Sequence, residues 1–505
     1  MGREIERERF GGADFERFSE RLGESLVALA ELLERPGFGE GPATIGAELE
    51  MALVDAAGRP AGENVAVQEA LGGDDDIALE VGRFCIECAT PPVDLAGRPF
   101  TALASRVTQL VERIAGAAAA HGTRVAMIGT LPTLTMGDLG PGGLTESARY
   151  RALSAALEPK KPDRRVIIDG PETLDVELPG IVAEAANAAF QIHLRVTPAD
   201  FARTFNAAQL ATGPALAAAA NSPTFLGKLL WDETRVPLFH QAIDGHQGGE
   251  EVWRPSRVSF GYGWVRRGIL ELLQESVALH EVVLPLTEAE DPLEVVRAGG
   301  VPQLAELRLH HGTTWRWNRP VYDPAGGGHL RIELRALPAG PSVIDMAANA
   351  AFLIGATLGL ADEEWMIPAM PFELARRNFY RAARDGLGAE LLWPAPQAPS
   401  PRPMPAAEVV ERLIPVARRG LDRAGVDADE AGALLDVMGE RVTAEVTGAR
   451  WQRAALAALE EPMMRGTALA ATLDAYIEAQ FSGLPVHRWP IPSRPGSRAA
   501  AGSAA

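Results

Sequence analysis

The sequence predicts a mixed α+β protein in which helices cover one face of a sheet and polar side chains line the other face. Four strand-like segments carry charged or polar residues at every second position within otherwise apolar sequence. Residues i and i+2 of a strand point to the same side, so each segment has one polar and one apolar face. Stretches rich in alanine and leucine flank these strands and are long enough to cover the apolar faces. With 505 residues, 47% of them hydrophobic, the chain can bury a large core.

The N-terminal part of the chain predicts two helices and three strands. Apolar residues at helical spacing indicate the first helix, and proline residues end the second strand because they remove ladder donors. The expected elements are a helix over 15–33, a strand over Thr44–Val54, a loop over Gly72–Asp76, a strand over Ala78–Ala89, a helix over 100–121 and a strand over Arg124–Gly129.

The segment 137–180 is rich in glycine, proline and charge and shows little periodicity. A stretch of that length inside a compact domain is more often a functional loop or lid than an accident. It contains a basic cluster of Lys160, Lys161, Arg164 and Arg165. We expect these residues to contact substrate or nucleotide, and the alternative is an ordinary solvated basic stretch.

The remaining sequence predicts further elements and a division into domains. The expected elements are a strand over Ala188–Val196, a helix from Pro198 to Ala220, a loop over 245–260, a hairpin with arms Thr313–Arg319 and His329–Leu337, and a buried helix from Ser342 to Leu360. A linker with six prolines is expected at 394–407, because proline cannot continue a helix. It would separate a main domain, 1–393, from a helical region, 408–490, that packs on it, followed by a disordered tail, 491–505.

Composition argues against several classes of partner. The formal net charge of -19 is spread along the chain, and such a surface repels nucleic acids and anionic lipid heads. We find no apolar run near the roughly 20 residues that cross a bilayer, and the charged N-terminus does not resemble a signal peptide. A cytoplasmic protein without membrane contact is expected, and self-association into a homo-oligomer stays open. Cys85 and Cys88 are interpreted as structural, because residues i and i+3 of a strand point to opposite faces.

Polar residues with period two are the main functional signal. They are Glu48 and Glu50, Glu87, Gln191 with His193 and Arg195, and Arg331 with Glu333 and Arg335. Amphipathic strands whose polar faces meet water would explain any one of these segments. The set contains Glu, His, Gln and Arg almost exclusively, whereas solvated strands commonly carry Thr, Ser and Lys. Clustered carboxylates suit hard divalent cations, and arginines bind phosphate or carboxylate. The sequence contains no P-loop and no Gly-x-Ser-x-Gly motif.

At these strands the chain resembles the glutamate–cysteine ligase family, in particular its second, plant and bacterial class and the related carboxylate–amine ligases. The resemblance extends from about residue 40 to 380. Its motifs are Glu48-Leu-Glu50, Ile86-Glu-Cys-Ala-Thr-Pro-Pro92, Phe190-Gln-Ile-His193, Ala220-Asn-Ser-Pro-Thr224 with a following Arg235, His311-Gly-Thr-Thr-Trp-Arg-Trp-Asn-Arg-Pro320 and Leu330-Arg-Ile-Glu-Leu-Arg-Ala-Leu-Pro338.

The resemblance implies a glutamine-synthetase-like fold, in which a curved, mainly antiparallel sheet forms a funnel with helices on its outer face. It also implies that ATP phosphorylates a carboxylate, with glutamate as the expected acid, and that an amine, with cysteine as one candidate, attacks the acyl phosphate. Magnesium is the expected ion, or manganese in its place. The implied metal ligands are Glu48, Glu50, Glu87, His193 and Glu333. The implied catalytic residues are Arg235, Arg331 and Arg335. The implied substrate or nucleotide contacts are Gln191, Arg195, Arg316, Lys160 and Lys161.

Two alternatives to a ligase stay open at this point. One is a non-catalytic regulatory protein that binds a nucleotide or an amino acid on the same fold. The other is a phosphotransferase that modifies a small guanidino or carboxylate substrate and stops there. Product analysis separates the three, because they yield an amide, a stable phosphorylated product, or neither.

Overall fold

The computed structural model describes residues 10–158, 164–244, 255–395, 398, 400–460 and 463–492. Its α-helices are α1 Gly12–Leu33, α2 Asn64–Ala70, α3 Pro99–Ala120, α4 Ala148–Leu157, α5 Phe201–Ala219, α6 Arg235–Asp244, α7 Ile269–Leu279, α8 Pro292–Arg297, α9 Ala305–Gly312, α10 Val343–Ala361, α11 Met366–Ala369, α12 Phe372–Asp385, α13 Ala406–Arg423, α14 Ala428–Ala444, α15 Gly448–Glu460 and α16 Arg465–Gln480. Its strands are β1 Thr44–Val54, β2 Ile77–Leu79, β3 Cys85–Ala89, β4 Val93–Asp94, β5 Arg124–Ala126, β6 Arg165–Asp169, β7 Thr173–Glu177, β8 Phe190–Val196, β9 Thr224–Phe225, β10 Lys228–Leu229, β11 Val258–Ser259, β12 Trp315–Arg316, β13 Asn318–Asp323, β14 His329–Leu334, β15 Glu390–Trp393 and β16 Arg402–Pro405.

The centre of the protein is a curved antiparallel sheet. Its order is β13-β14-β8-β1-β3-β2, and β4 and β5 also pair with β1. The apolar positions of the central strands, such as Leu49, Ile192 and Ile332, are fully buried in one core with α3, α5 and α10. The alternate positions carry the charged side chains. The predicted arrangement of helices on one face and polar groups on the other is therefore confirmed.

Helix α10 is the most apolar of the helices that pack behind the sheet. It packs between α5 and α13, and the polar side chains that it carries near its start, Asp345 and Asn349, are buried and hydrogen-bonded to Arg441. Within the described residues it is the one helix long and apolar enough to cross a membrane, but 83% of its most apolar window is buried inside the protein. The expectation that no such run exists was wrong, and packing in the core explains its composition.

The predicted strand Ala78–Ala89 is two strands. β2 and β3 pair antiparallel with each other, and residues 80–84 connect them. A Cβ atom at Gly82 would lie 2.5 Å from the Ala185 Cβ, so this connection packs closely on the 3₁₀ helix Ile181–Ala186. The bend has a functional consequence, because it changes the direction of the Glu80 side chain.

The predicted hairpin exists with a shifted first arm. β13 pairs with β14 from Asn318↔Leu334 to Asp323↔His329, so the first arm continues beyond Arg319 to the turn. Trp315 and Arg316 leave the hairpin and pair in parallel with β11. The Trp315 amide donates to Arg257 O at 2.7 Å, which fixes this change of partner.

The segment 137–180 contains more regular structure than its composition predicted. It forms α4 and the β6–β7 hairpin, which is tied to the rest of the protein. The Glu172 carboxylate accepts from the Leu229 amide at 2.7 Å and from Arg465 at 3.0 Å. Arg164 and Arg165 form surface ion pairs with Glu158 and Asp175. Lys160 and Lys161 lie outside the described residues.

The proline-rich segment 394–407 contains strand β16. This strand pairs antiparallel with β15, which immediately precedes the segment, and α13 begins at Ala406. Helix α13 then packs on α10, and the apolar residues of α13 and α14 belong to the same core as the sheet. The division of the chain at this segment remains a prediction.

Candidate active site

The sheet register brings the predicted polar residues onto one surface, called here the polar face. Glu50 lies opposite Glu87, and Glu48 lies opposite Gln191. In the next part of the sheet His193 lies opposite Glu333. Residues directly opposite each other in an antiparallel pair point to the same side, so carboxylates from three strands and the imidazole of a fourth converge.

One end of the polar face, called here the acidic end, consists of Glu50, Glu80 and Glu87. One carboxylate oxygen from each lies within 4.8 Å of the other two. Glu80 was not predicted from the sequence. In a single strand over Ala78–Ala89, Glu80 and Glu87 would point to opposite faces, and only the bend after β2 brings them together.

The carboxylates of the acidic end are partly buried and lie close to one another. Burial and then the negative charge of Glu80 raise the pKa of Glu50 to about 8, although Arg335 and the Ala189 amide act in the opposite direction. Burial, Glu48 and Glu80 raise the pKa of Glu87 well above its ordinary value. Negative charges held this close in a desolvated site favour a bound cation or a proton.

Glu48 and His193 lie beside the acidic end. The His193 Nε2 atom is 3.1 Å from Glu48 Oε1, but neither ring nitrogen has a hydrogen bond of good geometry within the described chain. Burial alone would raise the pKa of Glu48, but the charge of His193 and smaller influences act together in the opposite direction, and this pKa lies well below its ordinary value. The four carboxylates fit hard divalent cations, which take oxygen ligands. The ring nitrogens of His193, which are buried without a hydrogen bond, add one further possible donor.

Glu333 occupies a different environment, among arginines. Arg319 donates to its Oε2 atom through Nε at 2.9 Å and through NH2 at 2.7 Å, and Arg335 donates to its Oε1 atom. Burial raises the pKa of Glu333, but Arg319 and Arg335 outweigh it and bring this pKa to about 2. Arg335 also donates to Gln191 Oε1, and Gln191 donates to Glu50 Oε1 at 2.8 Å. Arg335 thus connects Glu333 to the acidic end.

The other predicted arginines have partners of their own. Arg331 and Arg195 lie opposite each other on the polar face, where Arg331 pairs with Asp323 and Arg195 donates to Glu40 O. Arg316 is buried and pairs with Glu275.

Within the described residues, the Arg235 guanidinium forms no hydrogen bond or ion pair with the carboxylates of the polar face, although its charge lowers the pKa of Glu50. Arg235 is 1% exposed and donates to Glu233 at 2.5 Å and to Ala336 O at 2.6 Å. It therefore holds the backbone next to Arg335, and direct contact with a substrate remains a prediction.

Three further charged residues, on the polar face or on elements beside it, were not predicted from the sequence. Arg319 was expected at the end of a hairpin arm, but the longer arm places it opposite Glu333. Glu184 and Arg149 lie in segments without strand periodicity, so a search for polar residues at period two could not find them.

Comparison with known proteins identifies a family. The family model described as glutamate-cysteine ligase family 2 (GCS2) matches residues 44–472. A search of curated proteins gives no match.

Solved structures of ligases are similar to this chain. A glutamate–cysteine ligase from Francisella tularensis in complex with AMP has a TM-score of 0.52 and 10% identity, over 90% of this chain and 91% of that chain. A bifunctional glutathione synthetase from Pasteurella multocida has a TM-score of 0.49 and 12% identity, over 93% of this chain and 55% of that chain. The first likeness confirms the predicted fold.

Proposed function

This chain belongs to glutamate–cysteine ligase family 2 and is an ATP-dependent carbon–nitrogen ligase, and we propose that it joins glutamate to an amine, with cysteine as the first candidate. The observation that carries the proposal is that the polar face has two different carboxylate sites. At one site three carboxylates lie close together, and at the other a single carboxylate accepts hydrogen bonds from arginines. Glu50, Glu80 and Glu87 supply the first, and Arg335 connects them to Glu333.

The reaction requires two displacements. A carboxylate oxygen of the acid attacks the γ-phosphorus of ATP, and ADP leaves. The amine nitrogen then attacks the acyl carbon, phosphate leaves, and the nitrogen gives up a proton. Negative charge collects on the phosphoryl oxygens in both steps, so the site has to supply fixed positive charge.

The residues of the acidic end support magnesium, or manganese, as the source of that charge. We assign Glu50, Glu80 and Glu87 to one ion and Glu48 with His193 to another. Bound there, a divalent cation would neutralise phosphate charge and orient the phosphoryl group. Glu333 was predicted as a metal ligand, but both of its carboxylate oxygens accept hydrogen bonds from arginines. We therefore propose that Glu333 orients Arg319 and Arg335.

Arg335 is the residue to which we assign stabilisation of the transferring phosphoryl group. Its guanidinium is held by Gln191 and Glu333, and its side chain is 13% exposed. Planar, preoriented guanidinium groups suit phosphoryl oxygens, and little reorganisation is needed when charge develops.

The proposal is tested by ADP release and product analysis. The protein is incubated with ATP, magnesium and glutamate, alone and with each amino acid as amine, and the products are identified by mass spectrometry. We expect ADP release that depends on both substrates and an amide of glutamate. A stable phosphorylated acid without amide would favour a phosphotransferase, and turnover with another acid but not with glutamate would refute the substrate assignment.

A further inference from the structure

Two ionisable side chains next to the acidic end have no oppositely charged partner in the described part of the chain. Glu184 lies in the 3₁₀ helix Ile181–Ala186, and Arg149 lies in the first turn of α4. Both are partly buried, and within the described ranges neither forms a side-chain hydrogen bond or an ion pair. Partly buried charges usually have a compensating partner, because burial disfavours the charged form.

The helix that carries Glu184 is packed against the acidic end. The Cys85 thiol donates to Ala185 O at 3.0 Å, and Ala185 also contacts the connection that carries Glu80. The other five residues of this helix are buried, so Glu184 is the position that reaches open space. Burial and then the charges of Glu80 and Glu50 raise the pKa of Glu184 well above its ordinary value, while Arg335 and Arg149 act in the opposite direction. The backbone contacts of this helix thus place Glu184 beside the connection that carries Glu80.

Arg149 approaches the same region from α4. The Tyr150 hydroxyl donates to Leu79 O at 2.7 Å, which holds the first turn of α4 beside Glu80. The Arg149 guanidinium carbon lies 5.5 Å from the centre of the Tyr150 ring. The guanidinium does not pair with Glu184, since their nitrogen and oxygen atoms are more than 4.0 Å apart. Glu184 and Arg149 thus come from two elements that both contact the stretch Leu79–Cys85, and they do not form an ion pair with each other.

We propose that Glu184 and Arg149 form a clamp for the α-ammonium and α-carboxylate groups of an amino acid substrate. In an α-amino acid the ammonium and carboxylate groups are attached to the same carbon atom. The ammonium group can therefore donate to Glu184 while the carboxylate accepts from Arg149. Both contacts are charge-assisted hydrogen bonds, which are stronger than neutral ones. The inference rests on the proposed function and names the residues that select its acid.

The chemistry assigns this clamp to the acid substrate and not to the amine. The amine has to lose a proton from its nitrogen and attack, and a carboxylate that binds its ammonium form would oppose that step. The acid keeps both α groups unchanged while its side-chain carboxylate reacts. An amino acid with a second carboxylate on its side chain therefore fits: the clamp holds one end, and the other end reaches the acidic end.

Two analogues of glutamate test the clamp. Glutarate lacks the ammonium group, and 4-aminobutyrate lacks the α-carboxylate. Losing a hydrogen bond to a charged group weakens glutamate binding by about 10- to 100-fold, so Glu184→Gln should raise the KM for glutamate by this factor and leave glutarate unaffected. Arg149→Met should raise the KM for glutamate by a similar factor and leave 4-aminobutyrate unaffected. The KM for ATP should not change in either variant.

The controls are exposed residues of the same charge from the same region. Glu177→Gln on β7 and Arg151→Met on α4 should bind glutamate like wild type. Calorimetric titration with glutamate and with glutarate gives a second readout that needs no turnover. A Glu184→Gln variant that prefers glutamate over glutarate as strongly as wild type would overturn the clamp.

The same measurements separate the clamp from the proposed reaction. If wild type releases ADP with glutamate and an amine but the variants keep wild-type selectivity, the reaction stands and the clamp fails. If no acid supports ADP release, the reaction fails and calorimetry decides the clamp. Loss of glutamate binding in Glu184→Gln but not in Glu177→Gln supports it, and equal binding, or none in wild type, refutes it.

Discussion

At the scale of single residues, the polar face holds carboxylates in two opposite electrostatic states. Burial and then the neighbouring carboxylates raise the pKa of the partly buried Glu87, whereas Arg319 and Arg335 bring the pKa of Glu333 to about 2. Period-two spacing predicts that both residues lie on polar faces. It cannot separate the two states, because the difference comes from Glu80 and Arg319 on neighbouring elements.

The first prediction concerns the acidic end. Glu80→Gln and Glu87→Gln should each lower turnover by about 100-fold or more, because each removes a carboxylate ligand and keeps its volume. The wild-type melting temperature should rise with added magnesium, since an ion that binds the folded state stabilises it. The variants should lose most of this rise. Calorimetry with and without chelator measures it, and a variant with wild-type turnover at saturating magnesium would show that its residue is not a ligand.

The second prediction concerns Arg335. Arg335→Ala should lower kcat by about 1000-fold, the size of effect found for arginines that stabilise a transferring phosphoryl group. The fold should persist, because Arg319 keeps two hydrogen bonds to Glu333. The rate and the melting temperature are measured on the same preparation. If turnover stays near normal, or if the melting temperature falls well below that of wild type, the role of Arg335 is structural and not catalytic.

At the scale of elements, the sequence predicts the regular parts well and the bends poorly. β1 has its expected bounds, Thr44–Val54, and Glu48 and Glu50 are its partly exposed alternate positions. The strand expected over Ala78–Ala89 breaks after Leu79, because a tertiary contact at Gly82 decides its path. A contact between distant parts of the chain does not change the pattern of apolar residues in the local sequence. The direction of the Glu80 side chain, which depends on this bend, could therefore not be predicted.

The third prediction follows from that bend. Gly82→Ala should destabilise the protein by about 1–3 kcal/mol, as overpacking of a core does, because the new Cβ meets Ala185 at 2.5 Å. Displacement of the connection should also move Glu80 and weaken magnesium binding. Gly116→Ala in α3 is the matched control: nothing lies within 4 Å of its Cβ position, and glycine to alanine in a helix stabilises by about 0.5–1 kcal/mol. Urea unfolding of both variants measures the difference, and equal stabilities would contradict the packing argument.

At the scale of the whole molecule, the C-terminal helices are hydrogen-bonded to residues of the part of the chain before residue 394. The Tyr476 hydroxyl donates to Met127 O at 2.7 Å and accepts from Asn221 at 2.8 Å. Arg441 on α14 donates to Asp345 on α10 at 2.8 Å, and both side chains are buried. Composition indicates a linker at 394–407, but it cannot show that the helices beyond that segment cover α10 and the backbone next to the site.

The last prediction is that the chain folds as one cooperative unit. A chain that ends at residue 393 should not fold, because it exposes the apolar surface of α10 that α13 covers and leaves Asp345 buried without Arg441. Breaking a buried ion pair in this way costs about 3–5 kcal/mol, a large part of the stability of a typical protein. The fragment 1–393 is expressed alone and together with 400–492, and solubility, helical content and ADP release are measured. We expect an insoluble or unfolded fragment alone and recovery of structure and activity when both are present. Two separate thermal transitions in the intact chain, or a soluble 1–393 with native helical content, would show instead that 394–407 joins two independent domains.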